Sequence, residues 1–370
     1  VRSLELAVKY LAGERLVGTA AERAALTVIN YTAIPQTSWK QLAKTTLGSS
    51  SATIDSGTFT AKDNIMVLFH GIYHSGYIQA KLQVGNSTID TGSNYSYRHD
   101  RDGAGDSTST SANQMFYFGE GTNNSDEFGV CTIRNIATEE KLAIGHGTNE
   151  NGTGASNAPH RAEVVGKWVN TSNQINRIQV ATANTFASGS ELVILGCDDD
   201  EADSGTNFWE ELANPTDLAT AGDTLDSGTF TAKKYLMVDV HRIRNGAVNS
   251  RIQVNGDTGS NYAHRNMGAG NSYGNDANTT STSSIHSHAL TNYDSFTTYL
   301  IINKASKEKL MIIHEVSRNT AGAGNAPDRM EVVAKWANTS NAITSINVIN
   351  TDSGSLDVGT RIRVWGGTPT

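Results

Sequence analysis

Short stretches in which apolar and polar side chains alternate recur along most of this chain, separated by runs of Gly, Asn, Ser and Thr. In YIQAKLQVG the period is two, which places Ile78, Ala80, Leu82 and Val84 on one face of a strand. TIDSGTF and NIMVLFHGIY read as two strands broken at Lys62–Asp63. FGVCTIRNI, EKLAIGHG, AEVVGKWVN, INRIQVA and ELVILG continue the pattern, and TYLIINKA, EKLMIIHE, MEVVAKWAN, ITSINVIN and TRIRVWG repeat it later. The pattern predicts an all-β fold of jelly-roll-like antiparallel sandwiches. Only the opening differs. Leu4, Ala7, Val8 and Leu11 recur at helical spacing, and Thr19 with Glu22 forms a capping box for a second helix. Neither helix carries enough apolar surface to stand alone, so this segment needs something to dock on.

The strand pattern is duplicated. DSGTFTAK runs from Asp55 to Lys62 and again from Asp226 to Lys233. TGSNY begins at Thr91 and Thr258, EKL at Glu140 and Glu308, NAP at Asn157 and Asn325, and KW at Lys167 and Lys335. NTSNQI from Asn170 answers NTSNAI from Asn338, and GSELVILG from Gly189 answers GTRIRVWG from Gly359. The spacing between partners barely changes, and it is far too long for a solenoid or propeller period. One domain has been copied whole. The chain therefore divides into an N-terminal attachment segment (1–35), a first sandwich (36–196), an acidic linker (197–205) and a second sandwich (206–370). Like charges in CDDDEADSG are expected to keep that linker extended.

Composition narrows the picture. Apolar residues make up 37% and Gly numbers 35, which suits short strands and polar turns better than a helical bundle. The net charge of −8 comes without a basic stripe, so nucleic acid is not an expected partner. No apolar run reaches the ~18–20 residues of a membrane helix. Cys131 and Cys197 alone make no disulfide framework, and stability must come from burial. The opening VRSLELAVKY has neither an initiator Met nor a signal-peptide apolar core.

Candidate chemistry is sparse. His286 and His288 form an H-x-H that would share one strand face and clamp a metal, but the first copy has no His at the equivalent place, and a polar loop tip explains them better. His70 answers His241 and His146 answers His314. Each closes an apolar run with no nucleophile elbow or acid–base pair beside it, which favours a structural role over catalysis. Asp198, Asp199, Asp200, Glu201 and Asp203 offer carboxylates to calcium without the spacing of an EF-hand, so a solvated spacer is the expectation. Trp168 and Trp336 are open to two readings: stacking platforms for sugar rings, or core anchors within VVGKWV and VVAKWA. The long polar loops DRDGAGDSTSTSAN and GHGTNENGTGASNA either bind something or cap the sandwich end. The residues call for no catalytic centre, cofactor or metal.

KWxNTSNxIxxI followed by GSxxxVxG or GTxxxVWG, with ERLVGTAAERAALT at the start and NFWEEL at the entry to the second copy, resembles β-sandwich modules in virion surface proteins of tailed phages, marine ones especially. The resemblance covers nearly the whole chain and is a module pattern, not a catalytic signature. It implies a non-enzymatic structural protein located on the virion, a capsid decoration protein or a head or tail fibre, often trimeric. The partners implied are other virion proteins, further copies of this chain as a homotrimer and a host-surface glycan, with no membrane and no nucleic acid. Leu4, Val8, Leu11, Thr19 and Glu22 would then belong to the element that docks on the particle. The competing reading is a carbohydrate-binding surface or adhesion module resting on Trp168 and Trp336. An enzyme would have to rest on His286 and His288.

Overall fold

The computed structural model describes residues 39–76, 79–119, 124–199, 207–269, 276–286, 293–318 and 322–370. The N-terminal segment with its capping box, Ile78, His288 and most of the acidic linker lie outside the described residues. All described strand pairs are antiparallel. The fold is all-β, as the alternation requires.

In the first copy an eight-stranded sheet runs in the order Lys40–Thr46, Glu191–Cys197, Asn64–Gly71, Glu127–Arg134, Lys141–Asn149, His160–Trp168, Tyr95–Arg101 and Ser107–Ala112. A second sheet built on Ser51–Thr58, Arg177–Phe186 and Lys81–Asn86 packs against it. The chain crosses between the sheets repeatedly, which makes the sandwich jelly-roll-like. Ile65, Val67, Phe69, Leu82, Val84, Phe116, Ile178, Val180 and Ile194 fill the space between. Ala80, Leu82 and Val84 do share the inward face that period two predicts. The second copy repeats the eight-stranded order from Glu210–Asp217 and Arg361–Gly367 through to Tyr262–Ala269 and Ala277–Thr282. Its opposing layer divides into a four-stranded sheet and a separate pair, Arg244–Asn245 with Ser355–Leu356. Among the described residues no sheet takes strands from both copies.

The repeated motifs sit where backbone groups would otherwise go unpaired. In DSGTFTAK, Gly57 and Gly228 adopt φ of 66° and 72°, a region that costs any residue with a Cβ. The Asp before each accepts from the glycine N–H at 2.8 Å. The Ser between accepts from Ile178 N in one copy and Ile346 N in the other, both at 2.9 Å. TGSNY supplies Tyr95 and Tyr262, whose hydroxyls donate to the carbonyls of Asp90 and Asp257 at 2.8 and 2.9 Å. NTSN supplies Asn170 and Asn338, each capping the two N–H groups two and three residues on. Two copies retain identical residues here because side chains complete the hydrogen bonding of the same corner twice.

Candidate interaction faces and the seam between the copies

A third apolar cluster lies outside both sandwich cores. Leu68, Phe128, Val130, Val193 and Leu195 of the first copy gather with Phe208, Trp209, Tyr235, Ile302, Leu310, Ile312 and Trp365 of the second. These side chains point out of the two large sheets, so the copies are packed sheet face to sheet face. Fully burying such a side chain contributes ~1.5–3 kcal/mol, and the seam holds about a dozen. The short linker thus joins two bodies that stack directly on one another. Asp198 and Asp199, within that linker, are held by Lys62 and Arg134 at 2.7 and 2.6 Å instead of standing free. Neither needs a calcium ion to balance its charge.

Polar groups complete the seam. The fully buried Lys335 donates to the carbonyls of Glu150 and Gly152 at 2.9 and 2.7 Å and lies 3.3 Å from Glu308. Burial pulls its ammonium down, partly offset by Glu308 and Glu150. Ser281 N donates to Ala155 O at 2.7 Å. The segment GHGTNENGTGASNA therefore docks on the second copy through its backbone rather than capping a free end. Nearby, Lys234 pairs with Glu191 and Lys307 with Asp126 at 2.7 and 2.9 Å. His70 is buried beside this cluster and held well below the usual imidazole range, by burial first and then by Lys304, Lys234 and Lys307. Its counterpart His241 is exposed.

The two copies use the same sheet face differently. Leu310, Ile312 and Val333 are covered, 0, 3 and 2% exposed. Their counterparts Leu142, Ile144 and Val165 stand 59, 58 and 47% exposed. They line two adjoining grooves of about 490 and 320 Å³, the first with Tyr97 and Thr108–Thr110, the second with Trp39 and Arg134. On the opposite flank, the register sets Leu68 beside Val130 and Val193 in the first copy and Asp239 beside Thr298 and Arg363 in the second. Phe128 faces the seam, whereas its counterpart Phe296 is 44% exposed opposite an equally open Val316. The difference was readable in the sequence. LVIL (Leu192–Leu195) and MVLF (Met66–Phe69) are apolar at every position, as strands covered on both faces are, whereas TRIRVWG and MVDV alternate.

At the centre of the seam His146 meets His314, ring centroids 4.2 Å apart, with His314 Nε2 3.2 Å from His146 Nδ1. Glu331 Oε2 lies 2.7 Å from the same His314 nitrogen. The three ligand atoms fall within 4.8 Å of one another. Burial, then the charges of His314 and Arg161, pulls His146 down to about 3. The His146 ring is thus neutral at the contact.

The structure places the other predicted residues elsewhere. Trp168 and Trp336 are each 2% exposed, and their indole N–H groups donate to Asp90 and Asp257 at 2.8 and 2.7 Å. Lys141 and Lys309 lie over the rings at 5.8 and 5.3 Å. No sugar ring can reach either indole, so of the two readings the core anchor holds and the stacking platform is corrected. His286 is not at a polar loop tip. It ends a short strand paired with Ser250–Val254, with its ring 6.2 Å from buried His264. No protein-family model matches the chain, and no curated protein matches it.

Proposed function

We propose that this chain is a non-enzymatic structural protein of a tailed-phage virion, a capsid decoration or fibre component that assembles with further copies of itself through the open sheet face of its first copy. The observation that carries the reading is the contrast between Leu142, Ile144 and Val165, open, and Leu310, Ile312 and Val333, covered by the neighbouring copy. A face of this composition is covered once within the chain, and a second chain is the occupant that fits the remaining one. Phe296 and Val316 supply its apolar counterpart on the neighbour, since Phe128 at the equivalent place already serves the internal seam. Such a contact joins unlike surfaces head to tail and closes into a ring when the rotation allows, three chains giving the homotrimer. Asp239 and Arg363 beside Phe296 make it more polar than the internal seam, and weaker. The N-terminal segment would dock the assembly on the particle. The sugar-binding alternative loses its two indoles to the core.

Sedimentation velocity tests the assembly. The chain should run as a trimer that dissociates on dilution, and Leu142→Asp with Ile144→Asp should give a monomer with an unchanged melting temperature. A wild-type chain that stays monomeric at high concentration overturns self-association. Deleting 1–35 should abolish incorporation into particles and leave the sandwiches folded; loss of the trimer in that variant instead would assign the open face to the N-terminal segment. The virion reading is checked separately by the chain's fixed stoichiometry in purified particles.

A further inference from the structure

We propose that His146, His314 and Glu331 hold one divalent transition-metal cation of the zinc class, bridging the two copies at the centre of the seam. Two imidazoles and a carboxylate are a common donor set for zinc, cobalt and nickel. The 3.2 Å between His146 Nδ1 and His314 Nε2 is close to the edge, about 3.3 Å, of a tetrahedron with metal–nitrogen bonds of ~2.0–2.1 Å. Glu331 Oε2 is buried and lies 2.7 Å from His314 Nε2, yet it makes no hydrogen bond. The pair has the separation of a hydrogen bond without the alignment that a shared proton requires.

The duplication explains why this carboxylate is free to act. Each histidine faces a glutamate across its strand pair, His146 with Glu163 and His314 with Glu331. In the first copy buried Arg161 hydrogen-bonds Glu163 and claims it. In the second copy the matching Arg329 is exposed and stays 3.9 Å from Glu331 Oε1, leaving Oε2 turned inward. The seam therefore brings together two histidines but only one uncommitted glutamate. Arg161, the nearest cation, has its charge offset by Glu163 and by Asp276 at 3.7 Å. A cavity of about 280 Å³ lined by His146, Glu163 and Glu331 adjoins the site and admits water to the remaining coordination position. With ligands from both copies, the cation would act as a staple across the seam.

The test uses the full chain, stripped with chelator and titrated with Zn²⁺ by calorimetry and with Co²⁺ by visible absorption. The expected result is one ion per chain, intense visible bands of four-coordinate cobalt and a raised melting temperature. His146→Gln, His314→Gln and Glu331→Gln should each weaken binding by more than about 100-fold. His241→Gln, an exposed histidine that is not among the three ligands, should leave binding unchanged. Near-ultraviolet circular dichroism verifies that each variant is folded. Absence of binding to the wild-type chain overturns the proposal, and so does binding that survives both histidine variants. Cobalt bound only in a six-coordinate, weakly absorbing form would also overturn it.

Discussion

His314 of the second copy lies against His146 of the first, the same position of the duplicated domain, with their ring nitrogens 3.2 Å apart. A residue that meets its own counterpart marks a local two-fold contact. The symmetry ends within a few residues. On one flank Leu310 and Ile312 are covered, and on the other Leu142 and Ile144 are open. The duplicated sheet faces have diverged, one toward an internal seam and one toward an outside surface.

The seam is tested by giving the first copy the second copy's residue. Val193 is fully buried there, and Arg363 occupies its counterpart position. Val193→Arg buries an unpaired charge and should cost more than ~3 kcal/mol. Scanning calorimetry should then show the two sandwiches melting in separate transitions. A single transition at the wild-type temperature would mean that the apolar seam does not couple the copies.

Lys167 and Lys335 carry the same pairing into different surroundings. Lys167 meets Glu140 at 2.7 Å on the surface, while Lys335 sits fully buried against Glu308 and two backbone carbonyls. Lys335→Met should cost ~3–5 kcal/mol by leaving a buried carboxylate without its cation. Lys167→Met should cost ~0–1 kcal/mol, the range for exposed pairs. Urea unfolding measures both, and equal effects would place Lys335 in a solvated site.

Trp168→Phe separates the two readings of the tryptophans. Removing the indole N–H takes one charge-assisted hydrogen bond from Asp90, which keeps those from Gly92 and Asn94, and should cost ~1–3 kcal/mol, seen as a lower denaturation midpoint. A stacking platform would instead leave stability untouched while glycan-array binding disappeared.

Stability should fall toward acid because of His264 and His286. Burial, then the charges of His286 and Arg251, holds His264 at about 3 against its ordinary 6.5. Burial, then Arg251 and Arg242, holds His286 at about 4. Both pKa values are depressed in the folded chain, so their contribution is complete above pH 6.5 and is lost as pH falls toward 4 and 3. Glu127 runs the other way. Burial raises it to about 8 against 4.5, outweighing the help of Ala80 N–H and Arg101, so its contribution is full below 4.5 and is lost as pH rises through 8. Thermal unfolding across pH should show the His264→Gln, His286→Gln double variant with a flatter acid limb, each histidine accounting for up to ~1.4 kcal/mol per pH unit. Glu127→Gln should flatten the rise in sensitivity between pH 4.5 and 8. An acid limb unchanged by the histidine substitutions would show that both rings protonate freely in the folded chain.

Period-two alternation in YIQAKLQVG determined the strand, because a sheet sends successive side chains to opposite faces and only one faces the core. The duplication determined that the same sandwich is built twice. Asp55–Gly57 and Asp226–Gly228 also marked a demanding turn, since a positive φ and an unpaired N–H restrict which residues serve. Unbroken apolar runs marked the covered face of the Leu68 and Val193 strands, but for the EKL strands the covering was decided only in three dimensions. Leu142 and Leu310 stand in the same local sequence, EKL, yet one is open and the other buried. Burial on an outer face depends on a neighbour brought from elsewhere in the chain, and alternation within one strand carries no record of that neighbour. The same holds for Trp168 and for the meeting of His146 with His314: their surroundings come from packing across long separations in the chain, which local pattern does not encode.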